Sequence, residues 1–522
     1  MSMYLNPGNE GFKEILNSSC YIDKTGIISL INSSINTMDK LICISRPRRF
    51  GKSLAAKTIS AYYDCSCDSK SLFDGKEISK STSYEEHLNK YNVIYLDMTN
   101  IMGKTEPQNM ISFITENITN ELLSSYPNTV RGSSFDGTLL NVTEAGNPKF
   151  IMIIDEWDAP IREIPEIAKD YLAFLRMMFK GSGTTSKIFA AAYMTGILPI
   201  KKDKSESAVS DFIEYTIIDT DSYAPYTGFT EAEVQTLCLE HGLDFSEAKK
   251  WYDGYSLNGL SVYNPYSVMR AFKRRKFASY WKQTSAAENL ITYISMDFES
   301  LQSDILRLIA GEHLPVDVSV FQNDIRVITS RDDVMTLLIH LGYLTYDSSA
   351  GTAYIPNEEL KNEFETLLRH PRHPKLQKLV TASEKLLQDT LDGNEKAVAA
   401  AIDSIRGTNY APAFYNNEQA LRYVIKFAYI VCADHYMRIE ELPSGKGLAD
   451  VVYIPGGAYP YLKALVIELK WNKTSGGALK QIKNRNYPAV LENYSGEILL
   501  AGINYDEKTK KHDCRIEVVT KQ

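Results

Sequence analysis

The sequence predicts an α/β protein that opens with a parallel sheet and closes with a second, smaller α/β unit. In the first part, short runs of consecutive apolar residues alternate with helical segments, which is typical of parallel strands covered on both faces. Short helices and Tyr-rich turns follow, and strand and helix patterns return after residue 440. At roughly 150 residues per domain, we expect three domains, at residues 1–221, 222–370 and 371–522.

Four apolar runs predict the strands of the parallel sheet. They lie at Leu41–Ser45, Asn92–Asp97, Ile151–Ile154 and Ile188–Thr195. Their hydrophobicity is continuous rather than alternating, as in central strands buried on both faces. Because helical segments separate the runs, we expect a doubly wound sheet.

A basic turn, RPRRFGKS (residues 46–53), follows the first of these strands. Against the phosphate-loop pattern G-x-x-x-x-G-K-[ST], Gly51, Lys52 and Ser53 match, and Arg46 replaces the first glycine. A helix is expected from Ser53 onward, and its N-terminal N–H groups would point at phosphates. Lys52 would neutralise the β- and γ-phosphates of ATP, and Ser53 would hold Mg²⁺.

Three cations share this loop: Arg46, Arg48 and Arg49. Such a loop repels itself unless an anion compensates it, so we expect these side chains to contact phosphates or a neighbouring acid. Whether one of them acts as an arginine finger stays open.

Two acids end the third apolar strand. Asp155 would bind Mg²⁺, and Glu156 would orient and polarise the attacking water. Thr195 ends the next predicted strand and is a candidate to contact the γ-phosphate. The alternatives are a strand that ends in solvated acids and a Thr that only terminates a strand. The phosphate-loop pattern earlier in the chain favours the nucleotide site.

The middle region predicts a helical or winged lid. DDVMTLLIHLGYLTYD (residues 332–347) predicts a helix that ends at Gly342 and then a strand, and a further strand and helix follow. The basic run KRRK (residues 273–276) is either a solvated turn or a nucleic-acid contact.

A second group of polar residues lies in the C-terminal α/β unit. Asp450 opens one strand, and Glu468 and Lys470 share one face of the next because strand side chains alternate. The two acids would hold Mg²⁺, and Lys470 would position the water or stabilise the transition state. Gln481 on the following helix and Glu418 are further candidates. The alternatives are an exposed Glu–Lys pair on an edge hairpin and, for Glu418, a solvated helix face.

The motifs YIDKTGIISLI (21–31), SRPRRFGKSL (45–54) and IIDEWDAPI (153–161) together resemble the AAA-ATPase-like proteins of microbial genomes, whose phosphate loop typically reads RPRRFGKS. The similarity continues through YTGFTEAEV (226–234), WYDGY (251–255), YNPYS (263–267), HLGYLTYD (340–347) and YIPNEE (354–359). GKGLADVV (445–452), VIELK (466–470) and ALKQI (478–482) resemble the PD-(D/E)XK nuclease superfamily domain in which such proteins usually end.

The resemblance implies an ATPase domain, a lid and a nuclease-like domain. It gives the ATPase roles to Lys52, Ser53, Asp155 and Glu156. The nuclease roles fall to Asp450, Glu468 and Lys470, while the first nuclease acid is not clearly matched.

Composition and charge narrow the class of protein. The 522 residues are 44% hydrophobic and 23% charged, which are globular values. The 57 Lys and Arg against 65 Asp and Glu give a net charge of −8, which excludes a uniformly basic nucleic-acid coat but not a local basic groove. The seven cysteines are scattered without a CxxC, so we expect neither a disulfide framework nor a zinc module.

We expect a cytoplasmic protein without membrane contact. The N-terminal MSMYLNPGNE lacks the apolar core of a leader, and the apolar runs fall short of the about 20 residues that span a bilayer.

Our first functional hypothesis is an ATP-regulated, Mg²⁺-dependent nuclease that acts on DNA, with RNA left open. The second is an ATP-switched scaffold whose nuclease-like domain only binds nucleic acid or protein. A kinase lacks a visible acceptor site. A homo-oligomer stays open.

Overall fold

The computed structural model describes most of the chain in two compact units. The described residues are 2–18, 20–180, 183–200, 209, 211–281, 301–319, 321, 328–368, 374–406, 421–422, 424–425, 428–429, 431–432, 436–444, 447–456, 462–484, 491, 494 and 496–519. Unit 1 comprises Met1–Leu290 with Pro315–Leu360, and unit 2 comprises Ile291–Leu314 with Lys361–Gln522. The predicted boundary at residues 221/222 falls inside unit 1, and the division into three domains stays a prediction.

The described helices are α1 (Glu10–Leu16), α2 (Ile27–Ser34), α3 (Lys52–Tyr63), α4 (Lys70–Phe73), α5 (Tyr84–His87), α6 (Met98–Met102), α7 (Met110–Ser125), α8 (Phe135–Glu144), α9 (Ala159–Glu163), α10 (Ala168–Phe179), α11 (Thr184–Ile188), α12 (Glu231–His241), α13 (Phe245–Tyr252), α14 (Pro265–Arg274), α15 (Leu301–Ile309), α16 (Arg331–Leu341), α17 (Glu358–Leu368), α18 (Pro374–Leu391), α19 (Glu395–Arg406) and α20 (Ser475–Asn484). None of them combines the length and the apolar content needed to cross a bilayer.

The described strands are β1 (Leu41–Ser45), β2 (Asn92–Asp97), β3 (Phe150–Asp155), β4 (Phe189–Gly196), β5 (Ile213–Tyr215), β6 (Phe229–Thr230), β7 (Tyr255–Leu257), β8 (Leu260–Tyr263), β9 (Leu314–Pro315), β10 (Thr345–Asp347), β11 (Thr352–Tyr354), β12 (Tyr436–Ser444), β13 (Gly447–Pro455), β14 (Ala464–Trp471), β15 (Ile498–Asp506) and β16 (Lys511–Val519).

Unit 1 is built on a five-stranded sheet of order β2-β3-β4-β1-β5. All neighbouring strands are parallel. The four predicted strands are all present, and every residue of β1, β3 and β4 is buried, as their continuous apolar runs predict. The short β5 is only half-buried and was not predicted.

Apolar clusters cover both faces of this sheet. Met152 and Ile154 of β3 belong to one cluster, which also takes in side chains of α7, α8 and α10. Ile151 and Ile153 point to the other face and join a cluster with side chains of α2 and α3. Successive side chains of β3 therefore pack alternately into the two apolar clusters, and the doubly wound arrangement is confirmed.

The rest of unit 1 combines short strands with helices. The strands β6, β8 and β7 form a small antiparallel sheet, and α12, α13 and α14 contribute to the apolar cluster beside it. The order α16, β10, β11, α17 reproduces the predicted helix–strand–strand–helix pattern, and α17 continues from the end of unit 1 into unit 2. α16 begins with a capping box at Ser330. It ends at its cap Gly342, as the sequence predicts.

Unit 2 contains a five-stranded sheet of order β12-β13-β14-β15-β16. β14 and β15 are parallel, and the other neighbours are antiparallel. Leu479 and Ile482 of α20 pack in one cluster with apolar side chains of β13, β14 and β15. The strands β13, β14 and β15 were predicted, whereas β12 and β16 were not. β14 is thus a central strand rather than an edge.

Gly342 allows the end of α16 to approach Pro47. Its φ is +83°, and a methyl group at its Cα would lie 2.6 Å from Cβ of Pro47. We expect Gly342→Ala to add steric conflict of about 1–3 kcal/mol to the about 1 kcal/mol that a positive φ costs a non-glycine residue.

Gly351→Ala is the matched control, since Gly351 has φ +67° and its nearest neighbour would be 4.0 Å away. Calorimetric unfolding should show a larger drop in Tm for Gly342→Ala than for Gly351→Ala. Equal drops would contradict the close packing.

Candidate functional site

The loop after β1 folds over the amine of Lys52. Gly51 adopts φ +85° and caps α3, which begins at Lys52. The Lys52 side chain is 3% exposed. Its Nζ donates hydrogen bonds to the carbonyl oxygens of Arg46 and Pro47, each at 3.1 Å. The lysine ammonium and the N-terminal N–H groups of α3 therefore lie beside the end of β1, where a phosphate group would find positive charge.

The two predicted acids lie at the end of β3. Asp155 is buried and faces Asp97 of β2 and Thr195 of β4 in the strand register. Glu156 follows in the left-handed region with φ +53°. Its carboxylate lies between two cations, with Oε1 3.5 Å from Nζ of Lys52 and Oε2 3.9 Å from Nη2 of Arg162. The strand ends therefore bring the predicted lysine and both acids together.

Asp155 is a buried acid whose charge is compensated only in part. Burial raises the pKa of Asp155 to about 6, and the charge of Glu156 adds to this, while a hydrogen bond from Ser53 and the charge of Lys52 oppose it. Tyr95 donates a hydrogen bond to Oδ2 at 3.4 Å, and Oδ1 has no hydrogen-bond partner among the described residues. The orphaned carboxylate oxygen and the hydroxyl of Ser53, which contacts the same carboxylate, are hard oxygen ligands of the kind that Mg²⁺ prefers, so the residues present fit a magnesium ion.

Thr195 lies between β1 and β3 in the register, paired with Ile44 on one side and Asp155 on the other. It is fully buried, and its hydroxyl has no hydrogen-bond partner within the described part of the chain. Its backbone carbonyl accepts a hydrogen bond from the N–H of Trp157 at 2.9 Å. A buried hydroxyl without a partner at the end of a central strand is available to a ligand or water.

Asp158 was not predicted, although it lies in the same motif. Its carboxylate accepts hydrogen bonds from the backbone N–H groups of Ile197, at 3.2 Å, and Leu198, at 3.1 Å. It also pairs with Arg162, which in turn reaches Glu156. Asp158 thus ties the turn after β3 to the turn after β4. The spacing D-E-x-D points to Asp158 only when the ends of β3 and β4 are known to be neighbours.

The arginines of the loop differ in placement from the sequence-based expectation. Arg46 does not line the pocket described below. It is fully buried and donates hydrogen bonds to the hydroxyl of Thr227 at 2.8 Å and to the carbonyl oxygen of Tyr215 at 2.8 Å. Burial lowers the pKa of Arg46 to about 10. Arg46 therefore anchors the loop to the interior of unit 1, and its role in nucleotide binding stays a prediction.

Arg49 lies at the pocket. Its φ is +73°, its guanidinium stacks 3.8 Å from the ring centroid of Tyr266, and its Nη1 donates to the carbonyl oxygen of Tyr280 at 3.2 Å. Burial lowers the pKa of Arg49. Arg48 is partly exposed. Of the three predicted arginines, Arg49 is the one that lines the pocket.

A pocket of about 460 Å³ opens beside the loop. Its lining includes Arg49–Ala55 and Glu156, together with the largely apolar side chains of Tyr21, Ile22, Phe229, Tyr266 and Met269, which we call the aromatic wall. Charged groups at a helix N-terminus and aromatic rings in one pocket suit a ligand with phosphates and a flat base, and the volume is in the range of small-molecule sites. The aromatic residues were not predicted to line a pocket, because they come from three separate stretches of unit 1.

In unit 2, Glu468 and Lys470 form a buried pair on β14. The Glu468 side chain is 2% exposed and the Lys470 side chain 11%. Nζ of Lys470 donates to Oε1 of Glu468 at 3.1 Å and to the carbonyl oxygen of Leu469 at 2.9 Å. Gln481 of α20 also donates to Oε1 of Glu468. The predicted common face and the contribution of Gln481 are observed, and the alternative of an exposed pair on an edge hairpin is not.

Asp450 and Glu418 lie at the limit of what is described. Asp450 belongs to β13, whose pairing with β14 runs to Val451 opposite Ile467, one residue from both Asp450 and Glu468. The Asp450 side chain and the whole of Glu418 lie outside the described residues. Among the side chains that are described, no three metal-binding acids, His or Cys cluster together.

Comparisons with known proteins match the N-terminal part of the chain to one family. Residues 7–205 match the AAA-ATPase-like family, described as Predicted AAA-ATPase. This segment contains the loop, Asp155, Glu156 and Thr195. The match supports the AAA-ATPase-like part of the resemblance.

One curated relative is similar over nearly its whole length. It is an uncharacterized protein in the vnfD 5′ region of Azotobacter chroococcum mcd 1, 25% identical in an alignment of 519 positions that covers 94% of this chain and 93% of the relative.

Among solved structures, the ORC2 protein of Aeropyrum pernix in ADPNP–ADP complexes aligns with a TM-score of 0.32 and 13% identity, over 67% of this chain and 96% of that one. The ORC1 protein of Aeropyrum pernix in complex with DNA aligns with a TM-score of 0.21 and 12% identity, over 63% and 86%. Similarities at these TM-scores are too distant to carry an argument about function.

The raised pKa of Asp155 predicts a pH-dependent stability. Because the folded protein holds this proton up to about pH 6 and an unfolded Asp releases it near pH 4, the free energy of unfolding should fall as pH rises through this window. The full effect is about 3 kcal/mol. Asp155→Asn should remove it, so the variant gains stability relative to the wild type between about pH 4 and pH 7.

Urea unfolding of the nucleotide-free protein in EDTA at a series of pH values measures this difference. Asp170→Asn, at an exposed position on α10, is the matched control and should follow the wild type. A constant difference between Asp155→Asn and the wild type across the pH series would contradict the prediction.

Proposed function

We propose that unit 1 binds and hydrolyses ATP. One observation carries the proposal: the ends of β1, β3 and β4 place Lys52, Asp155, Glu156 and Thr195 around the N-terminus of α3. The pocket beside them and the match of residues 7–205 to the AAA-ATPase-like family support the same activity.

Each side chain has a role that follows from its surroundings. Lys52 and the first N–H groups of α3 would bind the phosphates. Ser53 and Asp155 would hold Mg²⁺, which would supply positive charge against the phosphates. Glu156 would accept a hydrogen bond from the attacking water, and Thr195 would donate one to the terminal phosphate. The aromatic wall around Tyr266 would hold the base.

Glu156→Gln tests the hydrolytic role. The amide keeps the size of the side chain but cannot take a proton, so we expect kcat to fall by at least about 10²-fold while ATP affinity changes by only a few fold. Steady-state ATPase assays and binding of a fluorescent ATP analogue measure the two quantities.

Glu163→Gln is the control, because it is the same substitution seven residues further along the chain, at a side chain that is 44% exposed. An unchanged kcat for Glu156→Gln would contradict the assigned role.

We further propose that unit 2 is a Mg²⁺-dependent DNA nuclease, regulated by ATP. The burial of Glu468 and Lys470 on a central strand supports this proposal. Burying two charged groups costs free energy, so such a pair is more typical of a functional site than of an ordinary surface ion pair. Asp450 and Glu468, on neighbouring strands, would hold Mg²⁺, a Lewis acid for phosphodiester chemistry. The Lys470 ammonium would stabilise negative charge on the phosphate, and Gln481 would orient Glu468.

The second candidate is an ATP-switched scaffold. The contacts of Lys470 favour it, because Nζ is bonded to Glu468 and to a backbone carbonyl and the pair can serve as an internal structural link. In that case unit 2 binds nucleic acid or protein without cleaving it.

Plasmid cleavage distinguishes the two candidates. We expect nicking of supercoiled plasmid in Mg²⁺, lost by at least about 10²-fold in Lys470→Ala and in Asp450→Asn, with ATP changing the rate in the wild type. Lys473→Ala, at an exposed position three residues along, should cleave like the wild type.

Retained ATPase activity and circular dichroism verify that the variants fold. Cleavage that survives both substitutions would contradict the nuclease assignment. No cleavage by any protein, with ATP hydrolysis intact, would favour the scaffold.

A further inference from the structure

The basic run that ends α14 takes part in neither proposed site. Residues 245–276 contain seven Lys and Arg against two Asp and Glu, a local charge of +5 in a chain of −8. The basic end of α14, defined here as Lys273–Lys276, is exposed at all four positions. No described acidic side chain forms an ion pair with any of the four. Uncompensated charge of this density attracts an anionic partner.

The helix dipole alone does not explain this cluster. Cations are favoured at a helix C-terminus by about 0.3–1 kcal/mol, which accounts for Lys273 and Arg274. Arg275, however, caps α14 in the left-handed conformation with φ +50°, where glycine is the residue of lowest cost. The strain of a non-glycine residue there is about 1 kcal/mol. An arginine therefore occupies a backbone position that disfavours any residue with a side chain, which indicates a role for its guanidinium.

Both arginines of the basic end are held in place by neighbouring groups. Arg274 lies over the ring of Tyr280, 5.5 Å from its centroid, and Nη1 of Arg275 donates to the carbonyl oxygen of His241 at 3.2 Å. Lys273 and Lys276 make no such contact in the described structure. The cluster thus combines two oriented guanidinium groups with two exposed ammonium groups, a combination suited to several phosphates in a row.

Aromatic side chains accompany the charges. Trp251 and Phe277 are partly exposed and pack against the apolar cluster that α14 helps to form. Within residues 245–281, all of them described, no large hydrophobic side chain is strongly exposed. A lipid surface would require apolar side chains to insert, whereas partly exposed rings beside cations suit nucleotides.

The same helix forms part of the pocket. Tyr266 and Met269 near its start line the pocket wall, and the basic end lies about 10 Å further along the axis. Asn264 caps the helix, and the hydroxyl of Ser267 donates to Glu359 at 2.9 Å. The pocket wall and the basic end are therefore carried by one firmly held helix.

We propose that the basic end of α14 binds the sugar-phosphate backbone of a nucleic acid. It is a contact surface of unit 1, separate from the acids and lysine of unit 2. The choice of a nucleic acid as the partner rests on the proposed function, whereas the position of the surface does not. Neither ATP hydrolysis nor cleavage is needed for the binding.

Fluorescence anisotropy with the full chain tests the surface. A labelled DNA duplex and its single strand are titrated in EDTA between about 50 and 200 mM salt. Removing two phosphate contacts in Lys273→Gln/Lys276→Gln should weaken binding about tenfold and reduce the slope of log affinity against log salt by about two. Lys90→Gln/Lys169→Gln, which removes two exposed lysines elsewhere in unit 1, should bind like the wild type.

Wild-type protein that does not bind either DNA, or a double variant that binds like the wild type, would overturn the proposal. The proposal would also be overturned if the double variant lost binding to phosphatidylserine vesicles but kept its binding to DNA. ATPase and plasmid-cleavage assays on the same proteins distinguish the failure of this proposal from that of the proposed function, because a protein without either activity can still show lysine-dependent DNA binding.

Discussion

The loop between β1 and α3 is held in place by residues that lie far along the chain, and the geometry of the site depends on this restraint. Arg46 bonds to Thr227, Pro47 meets Gly342, Arg49 stacks on Tyr266, and the ring of Phe50 packs edge-on against Tyr255 with centroids 5.0 Å apart. A glycine-rich loop adapts to phosphates through its backbone, whereas this loop is fixed through its side chains. The position of Lys52 and the direction of α3 follow from that fixation.

The charges around the loop are balanced only in part. Glu156 lies between Lys52 and Arg162, and Asp158 holds Arg162 in place. Asp155, next to them, has a raised pKa and a buried oxygen that finds no partner among the residues the structure describes. A buried carboxylate of this kind destabilises the folded protein until a proton or a cation compensates it. The site therefore carries strain that binding of a metal and a nucleotide would relieve, as is common where chemistry takes place.

Much of the fold and part of the candidate site could be predicted from the sequence. Four of the five strands of the parallel sheet, the helix after Lys52 and the end of α16 at Gly342 follow from local patterns, which is why they were found. The predicted pair of Glu468 and Lys470 was found because strand alternation is also local. The five strands of unit 2 were predicted only in part, since β12 and β16 have no continuous apolar run and gain their place by pairing.

The sequence by itself determined which chemical groups stand at the ends of the strands, namely Gly51, Lys52 and Ser53 after β1 and Asp155 and Glu156 after β3. Apolar runs, turns and helix starts are encoded within about ten residues, so spacing suffices to locate them. Only the tertiary structure decided that Arg46 turns inward, that Asp158 joins two strand ends and that Tyr266 faces the loop. Those contacts join residues between 39 and 217 positions apart, and they depend on strand order and packing, which no local pattern contains.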